Sequence, residues 1–186
     1  MNESLPNGFS RYFIAAVLPS PLYEEVFSLK NYFREKYDSK ASLNSPPHIT
    51  LHMPFLWKEK KESDLVNSLD SFAKGKDQFN IELSGFGDFP PRVIFISVKE
   101  NGQLNQLQYH LQKFCKTELN LFNAQYKDNP FHAHVTLAFR DLKKPMFVSA
   151  WNEFKEKSFS SSFPLDKITL LKHNGKHWHS FHDSHF

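Results

Sequence analysis

The sequence predicts a mixed fold of strands and helices, built as two copies of one unit facing each other. Three observations carry this. The succession strand, helix, His-x-Thr strand, helix, strand runs twice along the chain. Its landmark, His48-Ile49-Thr50-Leu51, returns as His134-Val135-Thr136-Leu137. The spacing also holds, with 81 positions from Arg11 to Arg92 and 86 from His48 to His134. Two copies fit a pair related by a pseudo-two-fold axis, whereas a solenoid needs three or more. The copies are read as about 11–88 and 92–183, within one two-lobed domain spanning 1–186.

In the first copy, Arg11 to Leu18 (RYFIAAVL) is a buried strand, closed by Pro19 and Pro21. Leu22, Val26, Leu29 and Phe33 then form one helical face as far as about Tyr37. Ser45-Pro46-Pro47 is a turn that delivers the strand from His48 to Phe55. Lys58 to Lys74 reads as a helix with a solvated, Lys-rich start and Leu65, Leu69 and Phe72 inward. Phe79 to Leu83 alternates like a half-exposed strand, and Gly85-Phe86-Gly87-Asp88 reads as a loop.

In the second copy, Arg92 to Val98 (RVIFISV) is the matching strand and Gly102 to Leu121 an amphipathic helix. Asn129-Pro130-Phe131 is a turn entry to a strand from Phe131 to Phe139. Pro145 opens a helix to Lys157, with Phe147, Trp151 and Phe154 on one face. Leu165 to Leu171 and Lys176 to Phe181 form a hairpin through Asn174-Gly175. The tail strand reads as solvated, with packing of Trp178 and Phe181 into the second lobe as the alternative.

Composition narrows the function. The 186 residues include 20 Phe, enough for a sizeable core. A formal charge of +3 accommodates an anionic ligand without marking a nucleic-acid binder. Cys115 is the only cysteine and lies on the apolar stripe of Leu107, Leu111 and Phe114, so it reads as a buried thiol. The polar stretch Met1 to Ser10 lacks a signal-peptide core, and no apolar run is long enough to cross a bilayer. A cytoplasmic monomer with no membrane partner is the expectation.

The motif has chemical meaning because residues i and i+2 of a strand share a face. His48 and Thr50 project together, with Ile49 and Leu51 behind; His134 and Thr136 do the same in front of Val135 and Leu137. Side by side, the two strands offer a phosphate two proton-transfer groups and two neutral donors. Strand parity adds His52 as a groove-lining residue and brings Arg140 to the face of His134 and Thr136. Phe55, Trp57, Phe131 and Phe139 are candidates for stacking on a base, but with 20 Phe in the chain core packing is the expectation for any one of them.

The pair Pro47-His48-Ile49-Thr50-Leu51 and His132-Ala133-His134-Val135-Thr136-Leu137 resembles the two-histidine (2H) phosphoesterase superfamily. The closest branch is the 2′–5′ RNA ligase and RNA 2′,3′-cyclic phosphodiesterase family. Tyr12 to Pro19 and Arg92 to Phe95 also match that branch's strands, so the resemblance runs from about Arg11 to Phe181. It implies an α+β fold of two pseudo-symmetric lobes, each an antiparallel sheet with outer helices, flanking a central groove. It also implies phosphodiester chemistry without metal or cofactor on an RNA end or cyclic nucleotide. By analogy His48 protonates the leaving oxygen, His134 activates water, and Thr50 and Thr136 hold the non-bridging oxygens. The sequence itself leaves the acid and base roles open. One departure concerns the Arg that often follows the second motif as H-x-T-L-A-R. Phe139 occupies that place and Arg140 comes one residue later, so both are possible substrate contacts.

Two other readings compete. A binding module for RNA ends or nucleotides would keep the groove without turnover. A zinc-dependent hydrolase would draw on the tail histidines His173, His177, His179, His182 and His185.

Overall fold

The computed structural model describes residues 5–122 and 130–186. Asn129 of the expected turn, and the first four residues, lie outside them. Among the described residues are eight strands and four α-helices. They are β1 (Phe9–Val17), α1 (Leu22–Tyr37), β2 (His48–Lys58), α2 (Glu62–Ala73), β3 (Phe79–Phe89), β4 (Val93–Val98), α3 (Gly102–Glu118), β5 (His134–Ala138), α4 (Lys144–Phe154), β6 (Ser160–Leu165), β7 (Lys167–His173) and β8 (Trp178–His185). The fold is α+β, as expected.

The strands form one antiparallel ladder in the order β6-β3-β4-β5-β2-β1-β7-β8. It consists of two four-stranded halves that meet between β5 and β2, where a single residue pair, Ile49 and Val135, is in register. The halves correspond strand for strand, but neither is a continuous stretch of sequence. β3 leaves the first copy to pair with β4 and β6, while β7 and β8 return to β1. Trp178 therefore packs on Phe13 of β1, ring centroids 4.7 Å apart, in the first half-sheet and not in the second lobe.

The helices cross over as well: α1 rests on β5 and α3 on β2. Their buried stripes have the same spacing, Val26, Lys30, Phe33 and Tyr37 in α1 against Leu104, Gln108, Leu111 and Cys115 in α3. Such a stripe is what a helix needs to cover a sheet. The Asn101 side chain caps α3, accepting from the Leu104 backbone N–H at 2.9 Å. Asp38, left-handed at φ 54°, ends α1. Ile49, Leu51, Val135 and Leu137 are fully buried on the helix-covered face, which leaves the intervening His and Thr for the other side.

Several boundaries differ from the sequence reading. β3 runs through Gly85-Phe86-Gly87-Asp88, which reads as a loop. Gly85, at φ +69°, sits where one extra residue of β3 is accommodated between the Leu83 and Phe86 pairings. Gly87 lies against Phe95, where an added Cβ would come within 2.4 Å of the ring. These glycines serve a bulge and a close approach. β6 escapes the sequence reading because Ser160 to Ser162 and Pro164 carry little strand signal; it is an edge strand, where proline is tolerated. Lys58 ends β2, and Glu59–Lys61 form a 3-10 turn before α2 begins at Glu62. The second motif strand starts at His134, not Phe131. No helix among the described residues is long and apolar enough to cross a membrane.

Candidate active site

A cavity of about 740 Å³ opens where the two half-sheets meet, and His48, Thr50, His134 and Thr136 all line it. Pairing explains their arrangement. Ile49 and Val135 are antiparallel partners. Continuing that register by one residue each way sets His48 beside Thr136 and Thr50 beside His134. The two imidazoles then occupy opposite corners of a four-residue patch, at a diagonal spacing of roughly 7–8 Å between backbone positions. That spacing admits a phosphate between the rings.

Each ring is fixed in the same way. His48 Nδ1 donates to the Pro46 carbonyl at 2.6 Å, and His134 Nδ1 donates to the His132 carbonyl at 2.7 Å. Both acceptors lie two residues upstream. A proton held at Nδ1 leaves Nε2 as the free nitrogen of each neutral ring.

The surroundings differ. His48 packs on Phe13 at 4.9 Å between centroids. His134 is bracketed by Phe89 at 5.2 Å and Phe95 at 5.0 Å, with His132 beyond at 6.1 Å. Burial lowers the pKa of both rings. For His48, burial, helped by the nearby Lys30 charge, brings it down to about 3, against the pull of the Pro46 hydrogen bond. For His134, burial outweighs its bond to the His132 carbonyl. Both rings are neutral at ordinary pH.

Other expectations divide. Phe131, Phe139 and Arg140 line the cavity. β5 stops at Ala138, so Arg140 arrives from a left-handed residue at φ 62° rather than by strand parity. Its guanidinium lies 5.7 Å above the Phe139 ring. His52 does not line the groove; it is 2% exposed and packs edge-on to Phe55. The reason is irregular pairing in β2, where extra residues around Leu51 and His52 reverse the alternation after Thr50. Met53 and Pro54 reach the cavity instead. A second extra residue between His52 and Phe55 restores the original alternation, so Phe55 and Trp57 pack toward the core, not toward a base.

In the tail, His182 Nε2 lies 2.7 Å from Asp70, and His173 Nδ1 accepts from the Gly175 backbone. Among the described residues, no three His, Cys, Asp or Glu side chains come together as a metal-binding group.

Sequence reasoning missed Lys30, Ser42 and Asp141. Lys30 lines the cavity from α1 and donates to the Ser42 and Ser45 carbonyls, each at 3.1 Å. Ser42 Oγ donates to the Leu137 carbonyl at 2.6 Å. Asp141 accepts from Ser39 Oγ and from the Lys40 and Ala41 backbone N–H groups at 2.8–2.9 Å. The loop that leads into the first motif is thereby tied to the end of the second. A signal for Lys30 exists, since a lysine on an otherwise apolar helical stripe requires a reason.

Relatives and solved structures agree with this architecture. A phosphoesterase-named protein of Oceanobacillus iheyensis ("Putative phosphoesterase") is 29% identical over 161 residues, spanning 84% of this chain and 86% of its own. A Bacillus mycoides protein of the same description is 26% identical over 157 residues, spanning 83% of this chain and 84% of its own. The fold is similar to TT0787 of Thermus thermophilus, with TM-score 0.65 and 21% identity over 94% of this chain and 97% of the other. It is also similar to E. coli LigT complexed with 3′-AMP, with TM-score 0.66 and 20% identity over the same shares. The sequence model of the 2′-5′ RNA ligase superfamily matches residues 18–177, from the end of the first strand to the last hairpin, and the chain belongs to that superfamily.

Proposed function

We propose that the protein is a phosphodiesterase that opens 2′,3′-cyclic phosphates on RNA ends or nucleotides without a metal ion. The observation that carries this reading is the pair of imidazoles on one cavity, each with Nδ1 committed to a carbonyl and Nε2 free. In-line displacement at phosphorus needs one group on the attacking side and one on the leaving side. Water attacks phosphorus as His134 accepts its proton. The bond from phosphorus to the 2′- or 3′-oxygen breaks as His48 Nε2, protonated when the anionic phosphate binds beside it, donates that proton to the oxygen. The product is a phosphate monoester. Thr50 and Thr136 donate to the non-bridging oxygens. These roles follow the family analogy, and the reverse step exchanges them. A 5′-hydroxyl attacking in place of water, with the 3′-oxygen leaving, would make the same step a 2′–5′ ligation.

Supporting the reading, the cavity falls within the size range of small-molecule sites. Phe89, Phe131 and Phe139 on its wall offer flat apolar faces to a base. The E. coli LigT structures were obtained with 3′-AMP, ATP, NADP+ and phosphate, all of them phosphate compounds. The decisive experiment is a panel of 2′,3′-cyclic mononucleotides and cyclic-phosphate oligoribonucleotides, with and without EDTA. Turnover indifferent to the chelator supports the reading. Binding without turnover would make the chain a nucleotide-binding module, and loss of turnover in EDTA would point to a metal hydrolase.

A further inference from the structure

Lys30 is 1% exposed, and it is the only Lys, Arg, Asp or Glu side chain buried to that degree among the described residues. Its ammonium is held by two neutral acceptors, the carbonyls of Ser42 and Ser45. An ammonium has three donors. No carboxylate among the described residues pairs with it. Asp141, at the end of β5, has its oxygens committed to Ser39, Lys40 and Ala41. Glu153, on the α4 helix packed against α1, is committed to Tyr32, Tyr37, Lys36 and Lys157. The other titratable or charged groups around the cavity are His48, His132, His134 and Arg140. A buried cation without a counter-ion is costly unless something anionic arrives. The side chain lines the same cavity as both motif histidines.

We propose that Lys30 is the charge receptor of this cavity: its ammonium, steadied by the Ser42 and Ser45 carbonyls, takes its counter-ion from the phosphoryl group of the ligand, and anion binding holds the side chain in its protonated form. The proposal rests on the phosphodiesterase reading only in that the ligand carries a phosphate. Desolvation lowers the pKa of Lys30 to about 7, so the side chain exchanges this proton near neutrality. An anion at the wall favours the charged form, and linkage then makes anion affinity fall as pH rises above the free value. Lys30 also depresses His48, so an anion that offsets its charge makes a proton on His48 easier to hold. The matching position of the other copy is a neutral amide, Gln108, which donates to the Leu51 carbonyl at 3.4 Å and does not line the cavity.

Inorganic sulfate is the probe, because it does not titrate near neutrality. Calorimetry of the full chain should show sulfate affinity falling about tenfold between about pH 7.5 and about pH 8.5. Lys30→Met should bind sulfate at least about tenfold more weakly at about pH 6.5 and lose most of that pH slope, while Gln108→Met retains both. A second measurement needs no variant. In wild-type protein with 13Cε-labelled lysine, one lysine should titrate near neutrality, and sulfate should raise its midpoint by about two pH units or more. Equal affinity and slope in Lys30→Met, or a midpoint that sulfate leaves unmoved, overturns the proposal. If Lys30→Met does not fold, the wild-type titration decides. Turnover of cyclic nucleotides with no sulfate effect on Lys30 sinks this proposal and leaves the phosphodiesterase. The sulfate effect without turnover supports Lys30 and sinks the phosphodiesterase.

Discussion

The two copies of the His-x-Thr strand share a backbone plan and differ in what surrounds them. Each histidine holds its Nδ1 proton on a carbonyl two residues upstream, and each strand buries its alternate residues under a helix from the other copy. Around His48 stand a buried ammonium, a 3-10 turn at Ala41–Asn44 and the rings of Phe13 and Trp178. Around His134 stand Phe89, Phe95 and His132, with Arg140 just downstream. Repetition supplies paired proton-transfer groups. Divergence sets a buried ammonium beside one ring and an exposed guanidinium downstream of the other.

The strongest way to break this comparison is to remove each ring in turn. His48→Ala and His134→Ala should each lower kcat for a 2′,3′-cyclic mononucleotide by at least about a hundredfold. Wild-type rates in either variant would show that the copies do not act together. Next come the hydroxyls. Thr50→Val and Thr136→Val each remove a donor to a charged group, a loss of about 1.5–3 kcal/mol, or roughly ten- to hundredfold in kcat/KM. Equal losses would argue for a symmetric phosphate cradle, and unequal ones for a tilted ligand.

Gly87→Ala sharpens the comparison from the His134 side. The new Cβ must displace the Phe95 ring that packs on His134, so urea unfolding should show a loss of about 1–3 kcal/mol. The pH response separates the copies further. Both histidines titrate lower folded than unfolded, so the unfolded chain binds more protons below about pH 6.5. Their contribution is intact above that value and is lost as pH falls, for His48 toward about 3. His48→Gln should shrink the drop in urea midpoint between about pH 7 and about pH 4.5 more than His134→Gln does. The smallest effect belongs to Gln108→Met, which gives up one long hydrogen bond and should cost about 1 kcal/mol in urea unfolding, with sulfate binding unchanged.

Much of this was legible in the sequence because it rests on periodicity. Alternation in His48 to Leu51 and His134 to Leu137 places the polar and apolar residues on their faces before any coordinates are known. The apolar stripes of α1 and α3 are equally plain. What escaped depends on interruptions of period. His52 was misplaced because irregular pairing near Leu51 reverses the alternation, and nothing local announces it. Gly85 to Asp88 carries the composition of a loop and forms a strand, because its glycines meet tertiary demands. Ser160 to Leu165 becomes a strand only because the edge of β3 is available to it. Lys30 stood on a visible stripe, but which cavity it faces is decided by the crossing of α1 onto the opposite half.

That crossing, together with the strand exchange, has a consequence for ancestry and engineering. Severing the chain between Pro90 and Pro91 would leave β3 in one fragment and both of its partners, β4 and β6, in the other. Neither fragment would carry a finished sheet, and reconstitution would require both in the same tube. Two repeats that trade strands in this way cannot be divided into two halves that fold alone.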